Sequence, residues 1–261
     1  MSPGCRACGA AGCADSLHSA GRQTGATTVA LAGNPNVGKT SVFNALTGMR
    51  QHTGNWPGKT VLRAEGAYLH NGREYTVVDL PGTYSLSPNS AEEEVARDFI
   101  CFGQPDVTVV VVDATALERN LNLALQVAEI TSRLVVCVNL LDEARRKRIA
   151  IDLHQLELEL GVPAVGTVAR TRRGVSGLKE MIDRVVTGGV IPQPREIQYS
   201  DAIEQAVAEM MPQVLSLVDG KLPPRWVALR ILEGDRSALD RIAAHLGVSA
   251  SLRSAPVRIE V

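Results

Sequence analysis

Aromatic residues are scarce in this chain, 3% of 261 positions, made up of three Phe, two Trp and four Tyr. That is too few for the stacking platforms with which proteins read single-stranded RNA or DNA. An excess of charge is lacking as well. Twenty-seven Lys and Arg stand against 28 Asp and Glu, a formal net charge of -1, so no global field draws the chain to nucleic acid. No apolar run approaches the roughly 20 residues of a membrane-spanning helix; the longest, 107–112 and 134–138, have the length of strands. The amino terminus has neither a basic start followed by an apolar stretch nor a small-residue cleavage site, so nothing suggests export and a cytosolic location is expected. Cysteines number five. Cys5, Cys8 and Cys13 crowd into a Gly/Ala-rich tail with His18 a little beyond. Thiolates at that spacing could bind Zn²⁺ or iron, but no hydrophobic anchors accompany them, and a disordered tail with free thiols is the other reading. Cys101 and Cys137 lie in apolar surroundings and read as small core residues.

What is present is a phosphate cradle. Gly33-Asn34-Pro35-Asn36-Val37-Gly38-Lys39-Thr40 fits G-x-x-x-x-G-K-[ST] at every fixed position and follows the apolar run Val29-Ala30-Leu31-Ala32. Glycines let the backbone approach a polyphosphate so that successive N–H groups point at its oxygens. The Lys39 ammonium can reach the β and γ phosphates, and the Thr40 hydroxyl can hold Mg²⁺. Ser41 to Leu46 then places Val42, Ala45 and Leu46 on one helical face, which completes the order strand, loop, helix. Asn34, Asn36, Val37, Gly38, Lys39, Thr40 and Ser41 are therefore the expected phosphate-binding set.

Residues 27 to about 187 alternate strand-like and helix-like segments, the pattern of an α/β fold with a mainly parallel, six-stranded sheet covered on both faces. Strands are predicted at 28–32, 61–69, 74–79, 107–113, 134–139 and 163–168, and helices at 39–47, 91–102, 117–131, 152–160 and 176–186. His70-Asn71-Gly72 reads as a tight hairpin turn, which makes one edge strand antiparallel. Ile191-Pro192-Gln193-Pro194 breaks the alternation. A linker is expected at 188–194, and a small helical domain from 195 to the carboxyl end at 261, with two helices, one around Ile203 to Leu217 and one from Trp226 to Leu246. Its Trp and Met residues read as packing.

Asp79-Leu80-Pro81-Gly82 ends the strand Tyr75 to Val78. A P-loop fold needs a carboxylate there for the Mg²⁺ shell, and a glycine three residues later can offer its N–H to the γ-phosphate. At the end of the strand 134–138, Asn139-Leu140-Leu141-Asp142 selects the base. The Asp142 carboxylate can accept from N1–H and the exocyclic amine of guanine, an edge adenine does not present, while Asn139 braces the loop and can meet the opposite side of the base. Leu140 stands where small GTPases usually carry Lys, so weaker guanine affinity is expected. Thr167-Val168-Ala169-Arg170 is positioned like the loop whose backbone N–H groups face the guanine oxygen, which adds Val168 and Ala169. The segment from Gly48 to Thr60 lacks periodicity and reads as a mobile switch loop, with Thr60, or else Thr53, as the hydroxyl that closes on Mg²⁺.

Together these residues resemble the cytosolic N-terminal GTPase module of FeoB, the bacterial ferrous-iron transporter. The likeness lies in Gly33 to Ser41, in Gly54-Asn55-Trp56-Pro57-Gly58 before Thr60, in Asp79-Leu80-Pro81-Gly82-Thr83-Tyr84-Ser85-Leu86, in Asn139 to Ala144 and in Leu232-Glu233-Gly234-Asp235. The resemblance implies a Ras-like G domain at 27–187 and a helical domain that links it to the transporter's membrane part and favours the GDP state. The tail at 1–26 is not part of the likeness. The family's membrane segment follows this module, so its absence suggests a truncated piece, soluble in itself, from the cytoplasmic face of the inner membrane. Thr83 stands where Ras-type enzymes have the Gln that orients water, so slow intrinsic hydrolysis is implied. The family's K⁺ dependence offers a compensation. Asn36 matches the P-loop Asn that contacts K⁺, and carbonyls near Gly54 and Trp56 would complete the ion's shell; a loop-bracing amide is the plain alternative for Asn36. Catalysis would then rest on Asn36, Lys39, Thr60 and Gly82, with Mg²⁺ at Thr40, Thr60 and Asp79.

The leading reading is thus a GTPase that turns over GTP, with Mg²⁺ and K⁺, to regulate ferrous iron uptake. A homo-oligomer is compatible with it. The alternative is a slow guanine-nucleotide switch for another partner; a ribosome-associated GTPase would carry a basic RNA-binding appendage, which the balanced charge does not supply. The run Arg145-Arg146-Lys147-Arg148 reads as a solvated helix face, with contact to an anionic membrane surface as the other option.

Overall fold

The structure is a computed structural model that describes residues 26–48, 51–57, 59–86 and 90–248. Residues 1–25, with Cys5, Cys8 and Cys13, lie outside the described residues, as does Gly58. Seven strands form one sheet: β1 (Thr27–Gly33), β2 (Gln51–Asn55), β3 (Leu62–His70), β4 (Arg73–Asp79), β5 (Val107–Asp113), β6 (Leu134–Asn139) and β7 (Ala164–Gly166). Their order across the sheet is β2-β3-β4-β1-β5-β6-β7. β1 pairs in parallel with β4 and β5, and β6 joins β5 to β7 in the same sense. β2, β3 and β4 are antiparallel.

The runs Val107–Asp113 and Leu134–Asn139 are apolar without alternation because helices cover both faces of the parallel strands. Residues along β1 and β5 divide by parity. Val29, Leu31, Val109 and Val111 meet α1 (Lys39–Thr47) and α6 (Val175–Val186) on one face. Ala30, Ala32, Val110 and Val112 meet α2 (Ala91–Phe102) and α3 (Leu117–Ile130) on the other. Cys101 and Cys137 are buried free thiols, and burial pushes the Cys137 thiol up to about 12, which leaves it inert. The β3–β4 turn is the expected one: Asn71 (φ 48) and Gly72 (φ 75) are both left-handed, the twist that a two-residue antiparallel hairpin favours.

Three expectations need correction. The sheet has seven strands, not six, because Gln51–Asn55 pairs antiparallel with β3 instead of forming a loop. Its side chains from His52 to Asn55 are exposed, so no apolar alternation marks a strand whose order comes from β3's hydrogen-bonding edge. The predicted helix ranges left out a short helix, α4 (Leu141–Arg146), which follows β6 and carries Arg145 and Arg146 of the run read as a helix face, with α5 (Leu153–Leu160) after it. The last region holds three helices rather than two: α7 (Asp201–Val218), α8 (Pro224–Glu233) and α9 (Arg236–Leu246). Gly234 (φ 66) ends α8, and the Asp235 carboxylate accepts from Ala238 N at 3.0 Å to start α9. Apolar spacing ran through this break because both helices face the same core.

α7, α8 and α9 share one buried cluster with α2 and α3. Trp226 packs edge-on against Phe102 with centroids 6.4 Å apart, an arrangement worth about 0.5–1.5 kcal/mol beyond its buried area. Arg97 of α2 is wholly buried; its guanidinium donates to Asp98 Oδ1 at 2.8 Å and Ser237 Oγ at 3.2 Å and lies 3.7 Å from Asp235. Arg241 of α9 meets the second oxygen of Asp98 at 2.8 Å.

Candidate nucleotide site

The P-loop and the loops carrying Asp79, Asn139 and Thr167 emerge at the carboxyl ends of β1, β4, β6 and β7, the edge of an open α/β sheet where ligands bind. The loop after β1 runs into α1, whose first turn carries no acidic residue and whose N-cap Gly38 offers no side-chain cap. The first N–H groups of that helix therefore remain directed at an incoming anion. Gly38 has φ 80, and a Cβ there would lie 2.5 Å from Asn139 Nδ2. A Cβ on Gly33 would lie 2.7 Å from Val111 O. Both fixed glycines are thus steric requirements. Asn36 is exposed and left-handed (φ 67), Thr40 and Ser41 are exposed on the first turn of α1, and Val37 is buried. Asn34 is buried, and its Oδ1 has no hydrogen-bond partner.

Lys39 pairs with Asp79 Oδ1 and donates to Leu80 O at 2.5 Å. Burial raises the Asp79 carboxyl above the usual range while Lys39 pulls it down. The two groups meant for phosphate and Mg²⁺ thus neutralise each other here. The Asp79–Gly82 loop lies against the P-loop: Leu80 N donates to Leu31 O at 3.0 Å, and a Cβ on Gly82 would sit 3.4 Å from Pro35 Cα. Thr83 is buried, and its hydroxyl donates to Ser85 O at 2.5 Å.

Asn139 is fully buried and ties three loops together. Its Nδ2 donates to Val37 O at 3.0 Å, and its Oδ1 accepts from Thr167 Oγ1 and Ala169 N, both at 3.1 Å. Leu140 is left-handed (φ 62), which turns the chain into α4 and sets Asp142 in its first turn. Asp142 Oδ1 is buried without a partner, and Oδ2 lies 3.6 Å from the exposed Arg170 guanidinium. Asp142, Arg145, Gly166, Thr167, Val168 and Arg173 line a cleft. An unpartnered carboxylate oxygen at its wall is what a donor edge such as guanine N1–H would satisfy. The N–H groups of Val168 and Ala169 are engaged by Arg173 O and Asn139 Oδ1 in this structure. Arg145 and Arg173 were missed as cleft residues. Arg145 stands three residues after Asp142, one helical turn on, and that spacing was the available signal.

The segment named as a switch contains β2. Gly54 lies mid-strand in β2, in register with Arg63, and Thr53 beside it is exposed. Trp56 is buried edge-on against Phe99 (centroids 5.3 Å) with the Arg63 guanidinium 5.0 Å from its ring centre, and its carbonyl accepts from Lys59 N at 3.0 Å. Thr60 is exposed between β2 and β3.

A family model described as Ferrous iron transport protein B matches residues 27–182, and one described as FeoB cytosolic helical domain matches 199–260. The Fe(2+) transporter FeoB of Salmonella typhimurium is 41% identical over 217 residues, which is 80% of this chain but 27% of that protein. The chain therefore spans about a quarter of the length of such relatives. Among solved structures, the cytosolic domain of the T. maritima FeoB iron transporter in a GDP form superposes with a TM-score of 0.76 at 35% identity, covering 87% of this chain and 89% of that one. The same domain in its GMPPNP form gives 0.76 at 34% identity, covering 87% and 90%. No described helix is long and apolar enough to cross a membrane. By fold, by loops and by these matches, the chain belongs to the ferrous iron transport protein B (FeoB) family.

Proposed function

We propose that this chain binds GTP with Mg²⁺ and hydrolyses it to GDP and phosphate, as the cytosolic regulatory module of a bacterial ferrous iron uptake transporter, with K⁺ as activator. In this reading residues 27–187 form the G domain, 188–194 the linker, and 195–261 the helical domain that meets the transporter's membrane part. The observation that carries it is the buried, unpartnered Oδ1 of Asp142 at the wall of the cleft, which suits guanine N1–H and has nothing to offer adenine's N1 acceptor.

Lys39 leaves Asp79 and Leu80 O for the β and γ phosphates, which frees the Asp79 carboxylate. Thr60 and the Gly82 N–H close over the γ-phosphate, and water attacks phosphorus while the bond to the β–γ bridging oxygen breaks and its electrons remain on GDP. When bound, Mg²⁺ at Thr40, Thr60 and Asp79 and K⁺ beside Asn36 would offset the charge that develops on the phosphate oxygens. For the Gly54 and Trp56 carbonyls to join Asn36, the β2 segment would give up its pairing with β3 and the Trp56 carbonyl its bond from Lys59 N. Such exchange between ordered states is the usual behaviour of a switch.

A second reading, a slow binding switch, draws on Thr83, whose hydroxyl is engaged by Ser85 O. GTP hydrolysis in KCl against NaCl at matched ionic strength, with ATP as competitor, separates the two. K⁺ stimulation with GTP alone supports the cation-assisted enzyme, and loss of that stimulation in Asn36→Ala with GTP binding retained assigns the cation. Equal slow rates favour the switch. Preference for ATP refutes the role given to Asp142.

A further inference from the structure

At the amino end of β4, away from the nucleotide loops, the β3–β4 hairpin meets the second half of α6. His70 meets Glu180 and Asp183 there, more than a hundred residues further along the chain, with the ligand atoms of the three all within 4.8 Å of one another. His70 Nε2 is 3.1 Å from Glu180 Oε2. Neighbouring ligands around a first-row cation stand roughly 3–3.5 Å apart, given bonds of about 2.1 Å. The Asn71 amide reaches both carboxylates, at 3.0 Å from Asp183 Oδ2 and 3.5 Å from Glu180 Oε2. Tyr75 Oη donates to the other Asp183 oxygen, the kind of outer contact that orients a ligating carboxylate.

An independent observation lies beside the cluster. Tyr68, 7% exposed, stacks on Tyr75 with centroids 5.0 Å apart and planes 9° from parallel. Its hydroxyl is buried with no hydrogen-bond partner, on the ring stacked against the tyrosine that donates to Asp183. A buried hydroxyl left without a partner calls for an unseen one. Water on a cation held by the adjacent carboxylates would supply it.

We propose that His70, Glu180 and Asp183 form a binding site for a first-row divalent cation, Fe²⁺ or Mn²⁺, separate from the Mg²⁺ position of the nucleotide site. One imidazole and two carboxylates suit such ions, whereas Mg²⁺ keeps its water and prefers oxygen ligands alone. Glu180 is half exposed and gives the ion its entry path. The site is tied to the nucleotide loops by β4, which runs from Arg73 to Asp79, a span of about 20 Å at 3.3 Å per residue. An ion that pins the hairpin to α6 would thus act on the strand whose far end carries Asp79.

The test is Mn²⁺ binding to the full chain, free of nucleotide and in millimolar Mg²⁺, followed by the EPR signal of unbound Mn²⁺. Mn²⁺ is chosen because it has little affinity for the thiolates of the amino-terminal cysteines. One saturable site is expected, weakened at least tenfold in both His70→Ala and Glu180→Gln, with Fe²⁺ displacing Mn²⁺ under anaerobic conditions. GTP turnover in Mg²⁺ alone should be unchanged in both variants, which separates this site from the nucleotide site. Absence of saturable binding, or equal binding by wild type and both variants, would overturn the proposal.

Discussion

Replacing Asn139 by Ala should cost this protein more than any other single change near the nucleotide cleft, even with no nucleotide present. The side chain is fully buried and makes three hydrogen bonds, to Val37 O, Thr167 Oγ1 and Ala169 N. Each such bond is worth about 0.5–1.5 kcal/mol net, and each partner left buried and unsatisfied costs about 1–3 kcal/mol. The Thr167 hydroxyl keeps its contact with Cys137 Sγ at 3.3 Å, so two groups are orphaned: the Val37 carbonyl and the Ala169 N–H. The expected loss is about 3–5 kcal/mol, a large share of the roughly 5–15 kcal/mol that holds a domain folded. With a urea m-value of about 2 kcal/mol/M, the unfolding midpoint should fall by about 2 M. Asn139→Asp keeps the two acceptor contacts but sets a carboxylate against the Val37 carbonyl, so it should lose most of the P-loop brace and less of the base loop. GDP affinity should fall at least tenfold in both variants, since the phosphate loop loses its tie to β6. An Asn139→Ala midpoint within about 0.5 kcal/mol of wild type by the same conversion would refute the idea that this side chain joins the loops.

Three further outcomes follow from other contacts. Arg97→Ala leaves Asp98 with Arg241 alone and Asp235 without its ion-pair partner and should destabilise the protein by about 3 kcal/mol in denaturant melts, with α2 and α9 exchanging amide hydrogens faster. Asp142→Asn turns an acceptor toward the cleft into a mixed amide, so GTP preference over ATP in competition binding should drop by about one to two decades; unchanged preference would assign base choice elsewhere. Hydrogen bonds from Arg225, then from Tyr199 N, lower Glu204 from 4.5 to about 2. Because the folded value is depressed, the stabilisation is complete above about pH 4.5 and lost as pH falls toward 2. Thermal melts should therefore show the gap between wild type and Glu204→Gln closing over that interval, and a gap that widens on acidification would contradict the assignment.

Much of this was written locally. Gly33, Gly38 and Lys39 follow an apolar run and precede a helical face, and their geometry needs no distant residue to be inferred. The Asn-Gly pair at 71–72 forces its own turn through two left-handed residues. Val107–Asp113 and Leu134–Asn139 declare themselves as doubly covered parallel strands because, Thr108 aside, their side chains are apolar until the carboxylate or amide at the end. The Asp79 and Asp142 motifs gain meaning from their order behind strands, which a single chain displays.

Other features depended on partners far away in the chain. β2 has exposed polar side chains and becomes a strand only because β3 offers it a hydrogen-bonding edge. The break between α8 and α9 hides in a continuous apolar rhythm, since both helices pack on one core. That Asn139 is a brace for three loops, that Lys39 and Asp79 neutralise each other, and that His70 meets Glu180 and Asp183 are contacts across 28 to 113 positions. Residue types and spacing carry the chemistry of a loop, because backbone conformation and hydrogen-bonding capacity are local properties. Which charges meet, and which oxygen is left without a partner, is decided by packing, because only the folded sheet brings the ends of β4, β6 and α6 within reach of their counterparts.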